Sequence, residues 1–87
     1  MPSESTVIVM ITPRQIRAAR ALLDWSQQEL ADRAIVSLNA VARLEKGIVD
    51  SRISTVLAIQ KALIKAGIEF LDPDQKGEGV RLKSARA

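Results

Sequence analysis

The sequence predicts a mainly helical domain that carries a small β element formed by strands at its two ends. Three observations lead to this fold class. Motifs that start helices recur between residues 12 and 54, each followed by apolar residues at helical spacing. Glycines stand where helices would end. Beyond residue 67, apolar and polar residues alternate around a turn rich in Asp, Pro and Gly, which is typical of a β-hairpin.

The first helix is predicted from Pro13 to about Leu23. Thr12 is its expected N-cap, because Pro13 suits the first helical position and Gln15 stands where it completes a capping box. Ile16 begins an apolar face that continues at helical spacing toward the end of the helix. The pattern therefore indicates a helix with one side against a core.

Two short helices are expected next. Ser26 is the predicted cap of the second, over about Gln27–Ala34, with a glutamate three residues after the serine as in a capping box. Ser37 is the predicted cap of the third, which runs to about Lys46. It ends at Gly47, because glycine adopts the left-handed backbone conformation that other residues resist. The two helices thus lie on either side of a very short connection.

A fourth helix is expected to begin with Ser54 as its cap and to end at Gly67. Its apolar arc is wider than a single core contact requires, which suggests a subunit interface. Val56, Ile59 and Leu63 make one apolar stripe, and Leu57 and Ile64 lie about 100° around the helix from it.

The two ends of the chain supply the β element. Residues 6–11 are predicted as a strand covered on both sides, and residues 68–83 as a hairpin that could pair with it. Residues 1–87 are therefore expected to form one domain with a helical core over residues 13–67. At this size, apolar surface shared with a second copy would help stability, so a homodimer is expected.

Composition excludes several classes of protein. The chain has no Cys and no His, so thiol chemistry and metal ligand sets based on these residues are excluded, and a reducing, cytoplasmic setting is expected. The apolar run over residues 7–11 is too short for a membrane span or signal peptide. A net charge of +3 permits an anionic partner without indicating one. No phosphate loop or paired carboxylates are visible, so neither an enzyme nor a cofactor is expected.

The predicted third helix has two different sides. At 100° per residue, one side is apolar and suited to packing, whereas the other is free to contact a partner. This is the geometry of a helix-turn-helix whose second helix enters the major groove of DNA. Val41 and Leu44 form the packing side, and Leu38, Asn39, Ala42, Arg43 and Lys46 form the other.

Residues 13–67 resemble the XRE family, the phage-repressor and Cro-like helix-turn-helix domains. The resemblance implies a lambda-repressor-like fold of four to five helices. It also implies a bacterial transcriptional regulator that binds a palindromic operator in double-stranded DNA as a homodimer. The residues that carry it are Arg20, Trp25-Ser26-Gln27, Glu29-Leu30-Ala31, Ala34, Val36-Ser37, Val41, Leu44-Glu45, Gly47, Thr55, Ile59 and Ala62-Leu63.

The resemblance assigns base reading to four positions of the third helix. Asn39 can bond adenine, Arg43 can pair with guanine or fall back on a phosphate, and Leu38 can contact only a thymine methyl or other apolar surface. Ala42 lies on the same side. Asn39 and Arg43 could instead be ordinary surface residues, and this alternative stays open.

Further positions match family residues that contact phosphates or form a structural ion pair. The phosphate positions are Gln27, Ser37, Lys46 and Gly47, and the family also uses the glutamine to brace the recognition helix. Lys46 has a second explanation, since the helix dipole favours lysine near a C-terminus. Arg20 and Glu45 match the ion pair that ties the first helix to the end of the third, and they are assigned to the fold.

Two departures from the family pattern leave alternatives open. Ile35 stands where the family usually has glycine, so either the turn differs locally or the domain is less stable than its relatives. Leu38 and Ala42 make the recognition side less polar. The chain could therefore be a protein-interaction module instead, an antitoxin-like or antiactivator-like helix-turn-helix that binds another regulator as its protein partner.

Overall fold

The computed structural model describes residues 11–48, 52–74 and 76–83, without the side chains of residues 72–74. Four helices and one antiparallel hairpin form the described part, which confirms the predicted fold class. The elements are α1 (Pro13–Leu23), α2 (Gln27–Ala34), α3 (Leu38–Glu45), α4 (Ile53–Lys65), β1 (Ile68–Asp74) and β2 (Gly77–Leu82).

Side-chain caps begin the first three helices as predicted. At α1 the Thr12 hydroxyl accepts from the backbone N–H of Gln15 at 3.1 Å, and the Gln15 side chain accepts from the backbone N–H of Thr12 at 2.9 Å. Ser26 and Ser37 cap α2 and α3 through their hydroxyls. These bonds satisfy backbone donors that the first turn of a helix leaves without partners.

The predicted cap of α4 is wrong. Ser54 lies inside the first turn, and Arg52 occupies the cap position with an extended backbone but no side-chain cap hydrogen bond. A cap residue needs non-helical backbone angles, which Ser54 does not have because the helix already starts at Ile53. The predicted end is confirmed, since Gly67 follows the helix with a φ of 109°.

The predicted C-terminal hairpin is confirmed. β1 pairs with β2 in antiparallel register, with Phe70 opposite Val80 and an irregularity between Leu71 and Asp74. The predicted N-terminal strand, residues 6–11, lies outside the described residues except for Ile11. That residue is buried in the core and is not part of a strand.

The core lies between the helices and one face of the hairpin. Its largest fully buried side chains come from every helix and from β1, so the hairpin is part of the same packing unit. α1 packs on β2, and α2 packs on both α3 and α4. The fully buried large side chains are Ile16, Leu30, Val41, Ile59, Leu63 and Ile68.

A buried glutamine joins α1 to the hairpin. The side-chain amide of Gln15 donates to the carbonyl of Leu71 at 3.2 Å and to the carbonyl of Gly79 at 2.9 Å. Its oxygen is already used in the cap of α1, so the buried amide is bonded at both ends, as a buried polar group must be. This contact fixes the hairpin against the start of the helical core.

Among the helices in the described ranges, none combines the length and the apolar character that a membrane crossing requires.

Candidate nucleic-acid interface

A tight turn between α2 and α3 sets the angle between these helices. Ile35 has φ 57° and ψ 50°, the left-handed conformation, and its side chain is 89% exposed. The backbone N–H of Val36 then bonds the carbonyl of Ala31 at 3.0 Å. The sequence left open whether the turn differs locally from the family pattern or the domain is less stable. The first alternative is wrong, because Ile35 adopts the left-handed conformation that suits glycine.

The two sides of α3 differ as the 100° rotation requires. Val41 and Leu44 are buried and pack α3 against the rest of the core. The opposite side is here called the outer flank. Leu38 (44% exposed), Asn39 and Lys46 are exposed, and Ala42 and Arg43 are half-buried; these five residues make up the outer flank.

The outer flank begins at the N-terminus of α3 next to the serine cap. Ser37 is exposed, and its hydroxyl oxygen accepts from the backbone N–H of Ala40 at 3.0 Å. A hydroxyl that accepts this bond still has a hydrogen to donate, which is what contact with a phosphate oxygen requires. At the other end, Gly47 is exposed with a φ of 82°, next to Lys46.

An ion pair fixes the far end of α3 to α1. Arg20 donates to both carboxylate oxygens of the buried Glu45, with Nε–Oε2 at 2.6 Å and Nη2–Oε1 at 2.8 Å. The same guanidinium bonds the carbonyl of Trp25 at 3.0 Å, and Arg17 donates to the backbone carbonyl of Glu45. Such bidentate contacts restrict geometry as well as adding energy, so they hold the C-terminal end of α3 in place.

The environment of Glu45 keeps its carboxyl group charged. Burial by itself opposes ionisation, but hydrogen bonds from Arg20 and Gln27 and the charges of Arg20 and Arg17 outweigh it. The net result is that the pKa of Glu45 lies below its ordinary value. The ion pair is therefore intact at neutral pH.

Gln27 lies at the start of α2 and contacts the same carboxylate. Its side-chain Nε2 donates to Glu45 Oε1 at 3.0 Å, so it braces the end of α3 from a second helix. A side-chain amide nitrogen carries two hydrogens, and a phosphate oxygen can accept the second. The bracing contact is thus present in the structure, whereas the phosphate contact remains a prediction.

Three further cations make contacts that the sequence pattern did not indicate. Besides the contact of Arg17 with α3, Arg14 pairs with Glu78 at 2.7 Å, and Arg33 stacks over Trp25 at 4.6 Å from the ring centroid. The contacts of Arg17 and Arg14 join residues far apart in the chain, and that of Arg33 joins α2 to the connection before it. The sequence around a basic residue on the outer side of a helix does not indicate which residue it will contact.

The described part of the chain contains no group of three or more acidic, His or Cys side chains placed to hold a metal ion.

A sequence model of a domain family described as Helix-turn-helix matches residues 16–67, which is more than half of the chain. The matched region runs from the first turn of α1 to the glycine after α4, and so contains α2, the turn and α3. No match was found among curated proteins.

Proposed function

On the premise that this chain belongs to the helix-turn-helix family, we propose that it is a transcriptional regulator that binds double-stranded DNA in a sequence-specific way. The single observation that carries the proposal is the outer flank of α3. Leu38, Asn39 and Lys46 are exposed on this flank. Val41 and Leu44 are buried and anchor the opposite side. An α-helix presented in this way fits the major groove of B-DNA.

Three side chains of the outer flank have the chemistry for reading bases. The Asn39 amide can donate to and accept from adenine, and the Arg43 guanidinium can donate to guanine. Leu38, 44% exposed at the first position of α3, suits the methyl group of thymine. Ala42 lies between them, where a small side chain lets the helix approach the bases closely.

Phosphate contacts would hold the helix in register. We assign them to Gln27, Ser37 and Lys46, together with the backbone at Gly47. These groups lie at the two ends of α3 and at the start of α2, where they would reach the strands on either side of a groove. The net charge of +3 favours such contacts, which supply most of the affinity of DNA-binding domains.

The proposed active form is a homodimer on a palindromic operator. Two copies related by a two-fold axis would present two α3 helices to half-sites about 34 Å apart along the duplex. Control by concentration or by a protein partner is part of the proposal. A regulator of this kind would act in the bacterial cytoplasm, where the chromosome is accessible.

The test is selection of bound sequences from random duplexes. We expect a palindrome to be enriched, with Asn39→Ala relaxing the preference at defined positions by roughly 1–3 kcal/mol. Gln27→Ala should weaken binding to all sequences alike, because it removes a phosphate contact. Gln28→Ala is the matched control, since Gln28 is exposed and bonds only to Asp32 in the described part of the chain.

The absence of any enriched sequence, even at low salt, would contradict the proposal. The second candidate function is a protein-interaction module, which the exposed apolar Ile35 and Leu38 favour. It predicts the opposite pattern. Substituting Leu38 by lysine would then abolish capture of a protein partner, whereas Asn39→Ala would have no effect on any DNA preference.

A further inference from the structure

A cleft lies between α2 and the end of α4. Its volume is about 310 Å³, near the lower end of the range that ligand pockets span. An aromatic ring, two small apolar side chains and two cations line it. These residues, here called the Trp25 cleft, are Trp25, Arg33, Ala62, Lys65 and Ala66. They belong to α2, to α4 or to the residues directly beside them, so the cleft is a surface separate from the outer flank of α3.

Arg33 is held in place in this cleft, yet most of its hydrogen-bond donors are unused. Its guanidinium stacks over the Trp25 ring at 4.6 Å from the centroid, and its Nε donates to Glu29 Oε2 at 2.7 Å. A guanidinium has five N–H groups, and within the described part of the chain Glu29 takes only the one on Nε. The two terminal nitrogens therefore remain available as a planar fork for a carboxylate.

Two lysines extend the positive charge along α4. Lys65 lines the cleft, and Lys61 lies one turn before it on the same side of the helix. In the described ranges neither lysine has an acidic partner, and α4 itself carries no acidic residue. This row of charge is thus not neutralised by the described part of the domain, and it is complementary to a negatively charged partner.

Small apolar side chains form a second row beside the lysines. Ala62 and Ala66 are four residues apart, so they lie on successive turns at the end of α4 and leave room above the helix. The side chain of Trp25 lines the same cleft, and Trp and Arg are the residues that most often dominate the binding energy of protein interfaces. An aliphatic side chain gains from contact with this floor, whereas a phosphate group does not.

We propose that the Trp25 cleft binds an acidic, extended segment of a protein partner. One aliphatic side chain of the segment packs on Trp25 and the two alanines, and a neighbouring carboxylate bonds Arg33 and Lys65. A further carboxylate meets Lys61, which lies about 6 Å from Lys65 along the helix, and this length favours a peptide over a small anion. The inference deepens the proposed function by naming the chemistry of the controlling partner, and it rests on that function only for this role.

The first experiment is an NMR titration of the full chain with a capped hexapeptide in which leucine and glutamate alternate. We expect saturable shifts of the Trp25 indole N–H and of the amides of Ala62 and Ala66, and weaker binding as salt is raised. The same peptide with glutamine in place of glutamate should leave these signals unchanged. Inorganic phosphate is the third arm. Absence of saturable shifts at millimolar acidic peptide would overturn the proposal, and so would equal binding of the glutamine peptide or of phosphate.

Charge-matched variants identify the cations that bind the peptide. Lys65→Gln and Arg33→Gln should each weaken binding of the acidic peptide about tenfold. Lys83→Gln is the control, because it removes the same charge from an exposed residue that follows β2, and it should bind like the wild type. Thermal unfolding followed by circular dichroism verifies that each variant is folded. An equal loss with Lys83→Gln would reveal attraction to net charge alone and would overturn the cleft as the site.

A cavity-filling variant tests the apolar floor without changing any charge. Ala66→Met places a longer side chain in the cleft and should remove the saturable shifts. Ala18→Met is its control, since Ala18 is an exposed alanine on α1 outside this cleft, and it should bind the peptide normally. Unchanged affinity of Ala66→Met would overturn the proposed packing on Trp25 and the two alanines.

Binding to the selected duplex separates this inference from the proposed function. Lys65→Gln should bind the duplex as Lys83→Gln does, and Asn39→Ala should lose base preference while it still binds the peptide. If Lys65→Gln weakens binding to every duplex more than Lys83→Gln does, Lys65 contacts phosphates, and the peptide site is wrong while DNA binding stands. If the wild type binds the peptide but no duplex, the proposed function fails and the Trp25 cleft stands.

Discussion

Replacing Ile35 by glycine is expected to stabilise the domain. The residue adopts φ 57° and ψ 50°, which an L-residue with a branched Cβ tolerates poorly. Its side chain is 89% exposed, so removing it costs almost no buried apolar surface. The effect of the substitution is therefore determined by the backbone.

Two opposing terms set the magnitude. The left-handed conformation costs an L-residue roughly 1–2 kcal/mol, and glycine is free of that cost. Glycine loses more backbone entropy on folding, which costs about 0.5–1 kcal/mol relative to alanine. The difference leaves a net gain of about 0.5–1 kcal/mol, and for a domain of this size about 1 kcal/mol corresponds to a rise in Tm of about 4–8 °C.

Thermal and urea unfolding, followed by circular dichroism, measure this gain. Ile35→Ala is the control, since it removes the exposed side chain but keeps a Cβ, and it should give a smaller rise than glycine. Ile35→Asn should fall between them, because asparagine tolerates left-handed angles better than other residues with a Cβ. A Tm that falls with glycine, or that rises as much with alanine, would refute the argument from backbone strain.

Three further predictions concern contacts that hold the site in place. Gln15→Leu should cost about 2–3 kcal/mol, because the carbonyls of Leu71 and Gly79 lose their donor, and hydrogen exchange should quicken in the hairpin. The stability of Glu45→Gln should depend less on pH in the acid range than that of the wild type. The lowered pKa of Glu45 stabilises the folded wild type above the ordinary value of 4.5, and this stability is lost as pH falls through the lowered pKa. Gly47→Ala should cost about 1 kcal/mol from its φ of 82° alone, since the nearest atom to the new Cβ lies at 3.8 Å.

Each of these predictions has a result that would contradict it. Unchanged exchange in the hairpin of Gln15→Leu would show that the amide does not hold it. If the Tm of the wild type and the Tm of Glu45→Gln fall in parallel between neutral and acid pH, the lowered pKa is not a source of stability. A loss of stability in Gly47→Ala much larger than about 1 kcal/mol would indicate a steric clash instead of backbone strain.

The helical part of the fold could be predicted because its signals are local. The caps at Thr12, Ser26 and Ser37 and the glycine after each of the last two helices depend on residues within one or two turns. The prediction for Ser54 failed because spacing alone does not show which residue takes the extended conformation, and here that residue is Arg52, which makes no side-chain cap hydrogen bond.

The contacts that join the elements to one another were only partly predictable. The pair Arg20–Glu45 followed from the family resemblance, and it is present in the structure. The bonds of Gln15 to the hairpin were missed, although a signal existed: a capping glutamine uses its oxygen, so its amide hydrogens need partners once the residue is buried. The contact of Arg17 with the end of α3 joins distant parts of the chain and has no local signature.

The most direct test of the account is an NMR titration of the full chain with the duplex that selection enriches. Amide and side-chain signals of the outer flank, above all those of Leu38, Asn39 and Arg43, are predicted to shift most, with smaller shifts at the start of α2. Signals that move only in the hairpin or on α1, while those of α3 stay unchanged, would contradict the claim that this helix enters the groove.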